Sequence, residues 1–172
     1  MSDHLAGETN YNNILNKIVS DIREYVHSQW KLDYVHGLEH WDRVYQNGQK
    51  LLTPKVHTIV VELFAYLHDS CREDDFEDIH HGERAAEWIK TLRSTYLKEL
   101  SEEDFQLLSD ACRFHTTASK TSDPTIDACF DADRLDLWRV GVIPNPKRMA
   151  TKIGAQLARN TDFRALIMAQ YE

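Results

Sequence analysis

The chain lacks what a membrane span, a disulfide scaffold or a general nucleic-acid surface requires. No window approaches the roughly 18 uninterrupted apolar residues of a spanning helix. No charged segment followed by an apolar run opens the chain, so a soluble, unprocessed protein is expected. The three cysteines, Cys71, Cys112 and Cys129, form no CxxC pair, which argues against a disulfide framework or zinc ribbon and fits a reducing cytoplasm. Clustered Lys and Arg are missing and the formal net charge is −8, so no general binding to DNA or RNA backbones is expected. A small phosphorylated ligand stays compatible, because a few Arg and a metal invert the local potential of an acidic protein. Convincing strands and internal repeats are also missing. The RVGVI stretch is the nearest to a strand, and it is short and sits just before Pro144.

What is present is helical spacing. A chain of 172 residues with 42% hydrophobic and 28% charged residues fits one domain with one core. Residues 1–9 are expected to be a flexible N-terminus, and 10–172 a single all-α domain. Tyr11, Ile14, Leu15, Ile18, Val19, Ile22 and Val26 recur at three-and-four spacing and predict a first helix over about 10–30. Leu38, Trp41, Val44, Tyr45 and Leu51 predict a second, stopped at Thr53-Pro54. Val56 to Leu67 supply a third. The acidic SCREDDFEDIHHGE reads as a loop, and Ala85 to Tyr96 resume the helical pattern. Ser101 with Asp104 resembles a capping pair for a helix through His115. A loop at TTASKTSDPT, a helix at about 125–138, the turn GVIPNP and two closing helices at about 146–159 and 161–170 complete the reading.

Polar residues stand on the inward faces of several of these helices. They are His40, the adjacent His68 and Asp69, His115, and Asp131, Asp133 and Asp136 of DADRLD. Burying such groups is costly unless they are paired or metal-bound, so a shared metal is the economical explanation. Imidazole and carboxylate donors suit Zn, Mn, Fe or Ni, whereas Mg favours oxygen.

HWDRV at 40–44, LHD at 67–69 and DADRLD at 131–136 resemble the HD superfamily of metal-dependent phosphohydrolases, over about residues 36–140. The resemblance implies a helical bundle of the HD-domain type, with His40, His68, Asp69 and Asp133 as metal ligands. Asp133 is preferred over Asp131 because the ligating Asp of the family precedes a basic residue and a hydrophobe, as in Asp133-Arg134-Leu135. Asp131 is left to orient a neighbour or to cap a helix. Some members similar to this pattern carry two further histidines that bind a second metal, and His81 and His115 occupy that part of the order. One divalent transition metal (Mn, Ni, Zn or Fe) is the favoured expectation, with His81 and His115 as substrate or outer groups. A second metal at His81 and His115 is the alternative.

The implied chemistry is phosphoester hydrolysis by a metal-activated water, with a small phosphorylated substrate such as a nucleotide or phosphodiester. Asp69 is also a candidate for proton transfer or for orienting the water. Arg43, three residues after His40, is a candidate for gripping phosphate, and Glu73 for assisting proton transfer. Arg72, Asp136 and Arg139 are candidate substrate contacts. His36 is read as a pocket-edge or capping residue outside the metal shell. A two-metal, iron-dependent oxygenase and a metal-retaining, non-catalytic binding module are the competing readings, and a homodimer is compatible with all three.

Overall fold

The structure is a computed structural model that describes residues 2–32 and 34–170, with side chains from residue 10 onward except that of Tyr34. Among the described residues it holds eight α-helices and no strand. They are α1 (Ser2–Gln29), α2 (Leu38–Gln49), α3 (Thr58–Leu67), α4 (His81–Leu92), α5 (Glu102–Phe114), α6 (Pro124–Arg134), α7 (Lys152–Asn160) and α8 (Phe163–Ala169). Short 3-10 turns cover Tyr34–His36, Leu137–Val140 and Pro146–Arg148.

The third helix is the axis of the molecule. Ile59, Val60, Val61, Leu63, Phe64, Ala65, Tyr66 and Leu67 are all buried, so α3 is apolar on nearly every side, half-buried Glu62 being the exception. Such a helix is stable only when enclosed on every side, and α1, α2, α5 and α6 pack around it. Full burial of Leu63 or Phe64 contributes about 1.5–3 kcal/mol each. The end of an enclosed helix lies inside the protein, and this places His68, its C-terminal cap, in the interior.

Close approach of the surrounding helices depends on two glycines. A Cβ on Gly48 would sit 2.6 Å from Val61 Cγ1, between α2 and α3. One on Gly82 would sit 2.6 Å from the Cys112 carbonyl oxygen, between α4 and α5. The aromatic rings of Tyr25 and Tyr96, 4.7 Å apart, tie α1 to the turn after α4.

Boundaries differ from the sequence expectation where polar contacts override apolar spacing. The α1 backbone begins at Ser2, ahead of the stripe that starts at Tyr11. The α4 helix begins at His81, inside the expected acidic loop, because the apolar stripe from Ala85 marks only its inward face. The expected helix at 125–138 ends at Arg134, and Asp136 then turns inward at the start of Leu137–Val140. Gly141 follows with φ of +76°, so RVGVI forms a turn. The expected helix at 146–159 splits at Thr151, whose hydroxyl accepts from Gly154 N to open α7. Ser101 caps α5 as expected, accepting from Asp104 N. No described helix is long and apolar enough to cross a membrane.

Candidate metal centre

Helix termini converge on one buried spot. The N-terminal half of α2 brings His40, the end of α3 brings His68 and Asp69, and the start of α4 brings His81. The C-cap of α5 brings His115, and the last turn of α6 brings Asp133. His40 and His68 are fully buried, Asp69 and His81 are each 3% exposed, and His115 is 7% exposed. The Asp133 side chain keeps 21% exposure and forms the more open edge. Three overlapping donor sets result: His40 with His68 and Asp69; His68 with His115 and Asp133; Asp69 with His81 and His115.

The imidazoles are held in one orientation. His40 donates from Nδ1 to Asp136 Oδ2 at 2.7 Å, and His68 donates from Nδ1 to the Phe64 carbonyl at 3.0 Å. His115 donates from Nδ1 to the Cys112 carbonyl at 2.7 Å, and His81 Nδ1 faces the Asp78 carbonyl. Oxygen acceptors fix the proton on Nδ1 in each ring, which leaves Nε2 as a donor atom for a metal. The four Nε2 atoms meet in pairs, His40 with His68 at 3.2 Å and His81 with His115 at 2.9 Å. Two unprotonated ring nitrogens repel at that distance. A proton or a metal ion between them removes the conflict, and the residues therefore fit a metal.

Asp69 stands between the pairs. Its Oδ1 lies 3.0 Å from His81 Nε2 and 3.7 Å from His115 Nε2. Its Oδ2 lies 3.5 Å from His40 Nε2 and 3.6 Å from His68 Nε2. Asp133 Oδ1 adds a second carboxylate to the His40 and His68 side, at 3.5 and 3.8 Å.

Burial and charge set the protonation states. Burial pulls the His68 pKa down to about 3, so His68 is neutral and ready to ligate. Burial also opposes charge on His40, but the carboxylates of Asp136 and Asp69 outweigh it and raise its pKa. The same contest at His81 is won by Asp69, again upward. Burial would raise Asp69, yet His68, His115, His36 and His40 hold it well below the usual carboxylate range. Asp133 is likewise lowered, by His68 and His40 against burial.

Other expected site residues take different places. Asp136 is fully buried and bonds to His40 and to Arg43 Nε at 2.8 Å, so it positions a ligand instead of facing a substrate. Arg43 reaches the cluster only through Asp136, and its guanidinium also lies 5.5 Å from the Trp138 ring. Glu73 is 75% exposed and faces Arg84 at 3.6 Å, away from the cluster. Arg72 folds inward, with Nη1 3.7 Å from Asp69 Oδ1 and 3.4 Å from His81 Nδ1. Arg139 is bound to the Val35 and Asp136 carbonyls. Asp131 is also fully buried, but it accepts from Ala150 N, Thr151 N and the Thr151 hydroxyl and so anchors the start of α7.

His36 is the residue that sequence reasoning set aside. Its Nδ1 lies 3.1 Å from Asp69 Oδ2 and 3.1 Å from Arg139 Nη2, so it belongs to the shell that holds Asp69. The HGLEH spacing was its signal, obscured because Gly37 caps α2 and puts His36 in a separate turn.

No family model, no curated protein and no solved structure matches the chain.

Proposed function

We propose that the cluster holds two divalent transition-metal ions, with Asp69 shared between them, and that the protein hydrolyses a phosphoester of a small phosphorylated compound. One observation carries this reading: the two oxygens of Asp69 face two different pairs of imidazole Nε2 atoms. Two ions, the alternative of the sequence reading, are preferred here to a single metal with His81 and His115 as substrate or outer groups, because Asp69 faces both pairs. Bound divalent ions would supply charge neutralisation for a phosphoryl group and a water of lowered pKa.

The protein's own groups do the positioning. His40, His68 and Asp133 form one donor set, and His81 and His115 form the other. Asp136 keeps His40 in its ligating tautomer, and His36 with Arg72 flanks Asp69. Asp133, partly exposed and held as a carboxylate, would use Oδ1 toward the metal and leave Oδ2 to accept a proton from a water at the open edge.

Elemental mass spectrometry on the purified protein, with phosphate release from nucleotides and p-nitrophenol release from bis-(p-nitrophenyl) phosphate, tests the reading. About two ions per chain, falling to about one in His115→Ala, with metal-dependent phosphoester cleavage, is expected. A metal-free protein that takes up no metal on addition would refute it. A nitrogen-rich donor set also suits iron, so two irons with oxygen consumption and no hydrolysis would favour an oxygenase. Metal retained without turnover of either kind would favour a binding module.

A further inference from the structure

His115 forms part of the metal cluster and also part of the wall of a cavity of about 580 Å³. The other polar lining comes from Thr116, Thr117, Ser119 and Lys120 on one side and Lys147 and Arg148 on the other. Arg134 lies between them. The chain carries 28 acidic residues against 20 basic ones, yet four of the basic residues line this cavity and, among the described residues, no Asp or Glu does. In an acidic protein such a segregation of sign marks a place for an anion.

The four cations have different roles. Arg134 Nη1 donates to the Ser119 carbonyl at 2.8 Å and to the Arg148 carbonyl at 3.3 Å, while its Nη2 donates to the Ala118 carbonyl at 2.7 Å. It therefore clamps the two walls together. Lys120, Lys147 and Arg148 are exposed, and no ion pair among the described residues engages their side chains. The Ser119 hydroxyl adds a neutral donor, whereas the Thr117 hydroxyl donates to the Phe114 carbonyl.

A second space of about 350 Å³ shares Arg134, Arg148 and Met149 with this cavity and is walled by Leu137, Val142 and Ile143. Val142 and Ile143 are 50% and 47% exposed and give this space an apolar wall. Both spaces have the size of small-molecule sites and exceed what one phosphate needs.

We infer that the basic cavity is the substrate's way in to the metal cluster, that Lys120, Lys147 and Arg148 bind its phosphate charge, and that the substrate carries an apolar group seated on Leu137, Val142 and Ile143. This rests on the proposed metal-centred function for its chemistry, but the anion site stands on its own residues. The substrate class is thus a phosphorylated small molecule with an apolar body, and an inorganic polyphosphate lacks half of the fit.

Calorimetric titration with phenylphosphonate and with methylphosphonate tests it, on the purified full chain with metal content measured in every preparation. Phenylphosphonate is expected to bind about tenfold more tightly than methylphosphonate, from the buried ring area. Lys147→Ala with Arg148→Ala is expected to weaken both about tenfold, because two charge-assisted contacts are lost. Ile143→Ser is expected to remove the preference for the phenyl compound and leave methylphosphonate binding unchanged. Unaltered affinities in the double variant, with its metal content and circular dichroism intact, would overturn the inference and leave the metal-centred function standing. Lack of binding by the parent protein at millimolar ligand would also overturn it. A protein that holds no metal but loses phosphonate binding in the double variant would support the anion site and refute the metal-centred function.

Discussion

Replacing Asp136 by Asn exchanges one carboxylate oxygen for an NH₂ group and removes one charge, and its consequence is calculable from three distances. Asp136 has no solvent exposure, accepts from His40 Nδ1 at 2.7 Å and from Arg43 Nε at 2.8 Å, and lies 3.8 Å from Arg139 Nη1. Asparagine retains one acceptor oxygen and places an NH₂ group where the second oxygen stood. Either His40 or Arg43 then meets a donor. If His40 gives way, its proton moves to Nε2, and the lone pair that faces His68 and Asp133 is lost. Outer-shell substitutions of this kind weaken metal binding about 10- to 100-fold, equivalent to about 1.4–2.7 kcal/mol. The buried mismatch should also destabilise the metal-free fold by about 1–3 kcal/mol. Competition against a coloured chelator measures the first effect and thermal unfolding of the chelated protein the second. Asp131→Asn is the control, since Asp131 is equally buried but serves Ala150 and Thr151. It should lower stability and leave metal affinity unchanged. Equal metal affinity in Asp136→Asn and the parent protein, with the amide NH₂ facing His40 in a crystal structure of the variant, would refute the tautomer argument.

Gly82→Ala should destabilise by about 1–3 kcal/mol and lower metal occupancy at His81 and His115, since the added Cβ meets the Cys112 carbonyl at 2.6 Å and must separate α4 from α5. A crystal structure of the variant with an unmoved α5 would contradict this. Metal binding should release protons, because His40 and His81 have raised pKa values in the metal-free protein. Apparent affinity should therefore fall as pH drops through those raised values, and calorimetry in buffers of different ionisation enthalpy reads the proton count. His57 Nδ1 lies 2.6 Å from Asp104 Oδ1, and this hydrogen bond raises the His57 pKa above 6.5. Its stabilisation is thus fully present below about pH 6.5 and is lost as pH rises through the raised value. At 38% side-chain exposure the contribution is about 0.5 kcal/mol. Denaturant unfolding of His57→Gln against the parent protein should show a gap under acid conditions that closes under alkaline ones, and a pH-independent gap would exclude this source.

The donors that interrupt apolar stripes were readable from sequence. His68 continues the face of Phe64 and Leu67, and a helix as apolar as α3 must be enclosed, so its end falls inside. His40 and His115 follow the same logic on α2 and α5. Asp131, Asp133 and Asp136 were visible as a group, and the resemblance already preferred Asp133 over Asp131 as the ligand. The role of Asp136 was not legible, because α6 ends at Arg134 and only the turn that follows points its carboxylate at His40. His81 was placed in a loop because HHGERAA has no apolar residue before Ala85 to reveal that α4 has begun. The basic cavity was illegible for a different reason. Ser119 and Arg148 lie far apart in sequence, and it is the guanidinium of Arg134 that brings their walls together.

The pairing of ring nitrogens across the cluster has a mechanical consequence. His40 and His68 are 28 residues apart, and His81 and His115 are 34 apart. An ion seated in either pair would act as a reversible cross-link, closing a loop of that length. By the loop-closure argument used for covalent bridges, constraints of this size restrict the unfolded chain by about 3–4 kcal/mol each. Resistance to heat and protease would then follow the free metal concentration. A chelator would loosen the ends of five helices at once while leaving α3 and its apolar shell as the last part to open.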